Sequence, residues 1–491
     1  MGRQVNPEHS KATAMRLTHN RTGMATRLSA RRGIRNHRRP FSTSCNLSSR
    51  GTVLIVTMWI VLVLAGLVLV FARTIRVEAI TSANDVAALQ AAWVARAALN
   101  LVVWEIESAQ GATLSDDEAA FEQVQVGEGY FWVLRARLDD DRTHYFGITD
   151  EASKININSA TLDMLLKLPS MTAELAAAII DWRDGDDEVS LGGAESEYYL
   201  LLEAPYYCKN APFETVEEVL MVRGASRELL FGEDVNRNGV LDSNENDGSE
   251  TEPADDRDGN LDRGLLDYAT VYSVEPNESA LGEQRVNVND FDTQELSRLL
   301  RTSVPQDKFY FVMDLVQSGQ PFLNVLDFYF RTGLTISEFE PIADQLTTSR
   351  EEELVGLVNV NTASREVLLC LPELDEADVD ALIARRSDAG TDLSSIAWVA
   401  DALSQEKATA IGGHITTRSF QYSADIVSVS GNGRAFKRHR AVIDAGDGSP
   451  RVIYWKELTH LGWPLSAEIV STLRGGTPLS DSVISAGKGA G

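Results

Sequence analysis

An uncharged run from Thr52 to Ala72, 21 residues rich in Val, Leu and Ile, dominates the hydropathy pattern. A stretch of that length can span a bilayer as one helix. Helical spacing continues past it through Arg73, Arg76 and Glu78, then along an Ala-rich stretch to about Glu105. The pattern predicts one long helix that begins in the membrane and emerges into water. Strand-type alternation follows. Gly129–Leu138 and His144–Ile148 are aromatic and β-branched, and the acidic turn Asp139–Arg142 lies between them, which predicts a hairpin. Helical patterns run from about 160 to 415, and strands return at Ser423–Ser430, Phe436–Ile443 and Arg451–Trp455. The simplest architecture is α+β: a small sheet drawn from both ends of the chain, with a large, mostly helical domain inserted. From Ser466 the residues are mostly small and polar, which predicts a disordered tail.

Charge sets the topology. The formal net charge is -27, yet the first 50 residues hold eleven Lys and Arg against one acid, Glu8. The leader is therefore about +10, and the remainder about -37. Basic flanks stay cytoplasmic, so residues after about 73 face the periplasm or its equivalent. Met15 and Met24 offer shorter starts. The acidic body argues against a nucleic-acid partner, since phosphate binding needs a basic surface. Cys45 lies in the leader, and Cys208 and Cys370 read better as isolated buried thiols than as a disulfide.

The helical region repeats itself. Ile155-Asn-Ile-Asn158, with its continuation to Pro169, matches Val358-Asn-Val-Asn361 to Pro372, and a weaker copy begins at Val286-Asn-Val-Asn289. Each opens extended and leads into a helix, with N-cap candidates at Ser159, Thr362 and Asp290. Pro212-Phe213 and Pro321-Phe322 open matching second halves. These are small units of the SAM-like or helix-hairpin-helix kind. Units that grip DNA need Gly-rich hairpins whose backbone N–H groups meet phosphate. Here the hairpins read Leu168-Pro-Ser-Met-Thr172 and Leu371-Pro-Glu-Leu-Asp375, without the Gly-x-Gly pattern.

One segment carries metal chemistry. Asp234, Asn236, Asn238, Asp242 and Glu245 fall at positions 1, 3, 5, 9 and 12 of a calcium loop; Gly239 takes the sharp turn and Val240 offers its carbonyl. Calcium is a hard cation that takes six to eight oxygens, and this spacing folds them round one point. The alternative is an acidic surface turn without an ion. A second acidic turn, Asp255–Asp262, repeats only the centre of the pattern, so Asp256, Asp258 and Asp262 would need ligands from elsewhere. Asp181–Glu188 is a further oxygen donor. Both turns read equally as solvated loops. No catalytic set, phosphate loop or Cys/His metal spacing stands out, so an enzyme is not expected.

The small residue Gly51 sits at the cytoplasmic edge of the apolar run, whereas a secretory signal is cut at the far edge. That arrangement resembles the type IV pilin class, in which the leader is removed and the helix kept. More specifically, the chain resembles the type II secretion system protein K family, the large minor pseudopilin. The resemblance rests on Arg50-Gly51, Lys154–Asn158, Ile180–Asp184, Gly193–Glu195, Tyr198-Tyr199, Arg223-Gly224, Leu230–Asp234, Arg257–Gly264 and Thr270–Ser273. It implies a pilin-like sheet domain and cleavage by a prepilin peptidase between Gly51 and Thr52, with N-methylation of the new terminus. It also implies calcium near the helical insertion. Position five of the mature chain would be Val56, where most pilins carry Glu to pair with a neighbour's amine; an apolar residue suits a subunit with none above it. The implied role is a non-enzymatic tip subunit of the inner-membrane pseudopilus that caps the filament and helps start it. Implied partners are the minor pseudopilins I and J, the major pseudopilin, the prepilin peptidase and the inner-membrane assembly platform. The expected parts are a leader (1–51), membrane helix (52–72), helix remainder and first strands (73–150), helical insertion (151–415), returning strands (416–465) and tail (466–491). The rival readings are a membrane-anchored DNA-uptake protein using its hairpin units, and a free calcium-responsive sensor.

Overall fold

The structure, a computed structural model, describes residues 50–109, 114, 117–290 and 293–479. The leader through residue 49, with Cys45, and the tail beyond residue 479 lie outside the described residues. The chain divides into two units, residues 1–74 and 75–491. In the first, helix α1 (Arg50–Ala109) begins, and every residue from Thr52 to Thr74 is exposed. The Thr57 and Thr74 hydroxyls donate to the carbonyls of Leu54 (2.9 Å) and Val70 (3.0 Å), so neither is left unpaired on the apolar surface. Among the described residues, α1 alone is long and apolar enough to cross a membrane.

In the second unit α1 buries one stripe: Ala87, Ala91, Val94, Ala95, Ala98, Leu99, Val102 and Ile106. The three- and four-residue spacing places them on one face. They meet a seven-stranded antiparallel sheet. Its strands are β1 (Val124–Val126), β2 (Gly129–Arg135), β3 (Tyr145–Phe146), β4 (Thr149–Asp150), β5 (Gln421–Val429), β6 (Phe436–Asp444) and β7 (Arg451–Glu457). The order is β1-β2-β5-β6-β7, with β3 on β2 and β4 on β5. The expected hairpin forms where β2 pairs β3, Leu134 opposite Phe146. The two chain ends join at β2 and β5, Trp132 opposite Val427. Helix and sheet approach closely at Gly129, where a Cβ would stand 2.8 Å from Val94 Cγ2.

Between β4 and β5 lies the helical region, with its own core. All three repeats are visible in it. Each opens on a two-residue parallel bridge: Ile155–Asn156 with Ala269–Thr270, Val286–Asn287 with Leu346–Thr347, and Val358–Asn359 with Ile415–Thr416. In each, the first Asn accepts the backbone N–H of the second (2.9, 2.8 and 3.0 Å). The second Asn reaches across its unit. Asn158 donates to the Phe213 carbonyl at 3.0 Å and accepts the Phe213 N–H at 2.7 Å. Asn289 does the same with Phe322 at 2.9 and 2.8 Å. Asn361 donates to the Leu393 carbonyl at 2.9 Å, while its own oxygen is buried without a partner. The repeated Pro-Phe is therefore the far end of a clasp. In the outer repeats an arginine closes the unit from behind: Arg183 donates to the carbonyls of Ile157 and Ala160, and Arg386 to those of Val360 and Ala363.

Two expectations are corrected, the N-caps and the tail. The helices Leu162–Leu166 and Arg365–Leu369 are capped by Thr161 and Ser364, not Ser159 and Thr362, and Gln294–Ser303 has Thr293 at its N-cap, not Asp290. The Asn turn uses the earlier hydroxyls, Ser159 on the Asn156 carbonyl and Thr362 on Asp150. The hairpins keep a left-handed residue despite lacking glycine there: Ser170 has φ 56° and Glu373 φ 57°. The segment expected to be disordered from Ser466 holds a helix, Ala467–Arg474, capped by the Ser466 hydroxyl. Ile469 and Leu473, one turn apart, drop into the sheet's core with Leu479. The polar composition masked that short apolar pair. Cys208 and Cys370 are free, buried thiols.

Candidate functional site

The loop from Asp234 follows the short helix Arg227–Phe231 and the turn at Gly232, whose φ is 65°. Chain direction inside it is set by side chains bonding to nearby backbone. Asp234 accepts the N–H groups of Asn238 (3.0 Å) and Gly239 (2.8 Å), one on each oxygen. Asn236 also accepts the Asn238 N–H, and Asn238 accepts that of Val240 (2.8 Å). Gly239 has φ 75°, and a Cβ there would lie 3.2 Å from Ala136, so the predicted sharp turn needs glycine twice over. Glu245 closes the loop, one oxygen on the Val235 N–H (2.9 Å) and the other on the Asp242 N–H (3.0 Å). The Asn236 and Asn238 amides both donate to Asp242 Oδ2, at 2.7 and 3.1 Å.

Asp234, Asn236, Asn238, Asp242 and Glu245 are thus linked by hydrogen bonds within one loop, and the Val240 N–H joins through Asn238. Asp234 and Glu245 are almost fully buried. Burial, with the charge of Asp267 behind it, pushes the Asp234 carboxyl up to about 6. Burial also pushes Glu245 up to about 7, with Asp234 and Asp242 adding to it. Two buried acids at the two ends of one loop are donors of the kind a hard divalent cation takes, and such an ion would offset their repulsion. By donor type these residues could hold a calcium ion.

The second turn is exposed. Asp256 and Asp258 bond to the turn's own backbone, accepting the N–H groups of Asp258 and Asn260. Asp262 is raised by burial and then by the charges of Asp256 and Asp258. Glu233 joins them: its Oε2 accepts the Asp262 N–H at 3.2 Å, and it too is raised by burial and then by Asp262. Sequence reading missed Glu233, although it adjoins Asp234.

A third group lies in the first repeat. Asp181 and Asp184, at the end of the helix Ala173–Arg183, and Glu195, beyond the loop, bring carboxylate oxygens within 4.8 Å of one another. Asp181 is held by the Ser190 N–H, and a Cβ at Gly193 would stand 2.0 Å from its Oδ2. Both Glu195 oxygens and Asp184 Oδ1 are buried without hydrogen-bond partners; the Cys208 thiol lies beside Glu195 without a well-directed bond to it. Burial raises Asp184 and Glu195, and the neighbouring acids add to both shifts. Sequence alone offers the stretch 181–188 as an oxygen donor but not Glu195, because six further residues of unknown course separate them.

No curated protein matches the chain. Among solved structures, the chain is similar to one in the GspK-GspI-GspJ complex from the enterotoxigenic Escherichia coli type 2 secretion system. The identity is 11%, the match covers 78% of this chain and 99% of the other, and the TM-score is 0.39. Residues 149–231, which contain the first repeat, its clasp and the Asp181–Asp184–Glu195 group, match the family model for protein K of the type II secretion system.

Proposed function

We propose that this chain is the tip subunit of a type II secretion pseudopilus, a structural and not a catalytic part. The observation that carries the reading is Val56. In the uncharged run from Thr52 it takes the fifth place, where a filament-internal subunit needs a carboxylate for its neighbour's amine. An unpaired carboxylate in hydrocarbon is costly, so a subunit with nothing above it is better served by valine. In this reading a prepilin peptidase cuts between Gly51 and Thr52 and the new terminus is methylated. The N-terminus lies on the cytoplasmic side and the head on the periplasmic side. The head caps a complex with the minor pseudopilins I and J, above the major pseudopilin and the assembly platform. Glu373 at the left-handed place of its hairpin sets a negative charge where a phosphate would sit, which supports a partner list without nucleic acid. Calcium held by Asp234, Asn236, Asn238, Val240, Asp242 and Glu245 would neutralise the crowded loop. Asp256, Asp258 and Asp262 with Glu233, and Asp181, Asp184 and Glu195, are further places for such an ion. Immunogold labelling of filaments tests the tip assignment: label confined to filament ends is expected, and label along the shaft refutes it.

A further inference from the structure

One side chain of the sheet grips the calcium loop from outside. Arg438, on β6, is 0% exposed. Its Nη1 donates to the Asn236 carbonyl and its Nη2 to the Arg237 carbonyl at 2.5 Å. The same guanidinium pairs with Asp425 on β5, Nε to Oδ1 at 2.9 Å and Nη2 to Oδ2 at 2.6 Å. A planar fork can serve both sides at once, which a lysine cannot. The carbonyls it holds belong to the third and fourth loop positions. In a trans peptide the C=O and the following N–H point opposite ways. Fixing the Arg237 carbonyl on the sheet side therefore turns the Asn238 N–H inward, onto Asp234 and Asn236. Arg237 pays for this with φ 55°, a region unfavourable to any residue with a Cβ. Its own guanidinium lies 3.9 Å over the Phe231 ring.

We propose that Arg438 is a positioning residue for the cation site of the 234–245 loop: by holding the peptide between Arg237 and Asn238, it keeps the loop in its ion-binding form. The proposal rests on the calcium reading of that loop. Two influences on affinity oppose each other here. Removing a positive charge near Asp234 would by itself tighten cation binding, whereas freeing the peptide plane weakens it. Variants that keep net charge separate them. Arg438→Lys retains the charge without the fork. Arg438→Gln with Asp425→Asn removes one charge of each sign.

Calcium titration by calorimetry on the full chain in detergent is expected to show at least tenfold weaker binding in both variants. Adding Arg237→Gly to Arg438→Lys removes the left-handed cost and should recover much of the loss, which a general loss of packing would not do. In the unaltered chain, calcium should slow amide exchange at Asn238 and Gly239 and along 436–444, because coupling between two parts is reciprocal. That measurement stands even if a variant does not fold. Calcium heat in the unaltered chain with equal affinity in both variants, or with exchange along 436–444 unchanged, overturns the role of Arg438 and leaves the calcium reading intact. No calcium heat in the unaltered chain overturns both.

Discussion

Replacing the second asparagine of each repeat by alanine should not cost the same in the three copies, although the sequences look alike. In the first copy, Asn158→Ala strands an N–H and a carbonyl on Phe213, whose side chain is buried. In the second, Asn289→Ala does the same at Phe322. A buried polar group left unpaired costs about 1–3 kcal/mol. Two per site gives about 2–6 kcal/mol, and the lower half of that range is expected because both asparagines are only half-buried. Asn361→Ala frees two carbonyls, of Leu393 and Thr417, the second bonded at 3.3 Å. Carbonyls tolerate loss better than N–H groups, and the Asn361 oxygen has no partner to lose, so about 1–2 kcal/mol follows. The assay is urea denaturation of the three variants, followed by tryptophan fluorescence. Equal losses at all three sites, or a larger one at Asn361, would refute the clasp as an energetic unit and reduce it to a geometric coincidence of the repeat.

Other outcomes are expected together. A carboxyl whose folded pKa is raised favours the fold while protonated, so the stability tied to Asp234 (about 6) and Glu245 (about 7) is whole below the ordinary carboxylate range and lost as pH climbs to those values. For Asp234 alone the loss is about 3 kcal/mol. Melting in chelator should therefore fall between about pH 4 and 7, and calcium should restore about 2.7 kcal/mol at a hundredfold excess over its dissociation constant; curves indifferent to both would show a plain solvated turn. Glu245→Gln should weaken calcium binding and speed proteolysis near 232–262, read by limited digestion. Changing Gly51 to a bulky residue should leave uncut precursor in the membrane, and a mature terminus found beyond residue 73 would contradict the pilin reading. Gel shifts with the head should show no appreciable DNA binding at physiological salt, and strong, steeply salt-dependent binding would restore the DNA-uptake alternative.

What the sequence disclosed follows from how local each signal is. The apolar run, the aromatic and β-branched runs of β2, β5 and β6, and the Asn-x-Asn repeats are patterns within a few residues, and each has its counterpart in the structure. The loop from Asp234 to Glu245 is likewise local, its carboxylates bonded to backbone N–H groups at most ten positions away. What stayed hidden depends on distant partners. Arg438 meets the loop about two hundred positions away, and its place on β6 reads only as a charged residue in a strand. Glu195 becomes part of an acidic group only once the course of its loop is known. The helix Ala467–Arg474 is stabilised by the sheet it lands on, since eight residues are too few to hold as a helix alone.

The sheet's central pairing, β2 against β5, has a consequence for the order in which the head is made. β2 ends at Arg135 and β5 starts at Gln421. Synthesis from the N-terminus delivers β2 early and its neighbour only near the close. Until then β2 has an unfilled side, the kind of open edge that recruits foreign strands. The intervening helical units make short-range contacts and can form while the sheet waits, which shortens the effective gap that the last strands must bridge. The clasped repeats therefore act during biogenesis as a pre-folded spacer, and a variant that loosens them should betray itself first as misassembled or degraded newly made chain, before any defect shows in the finished head.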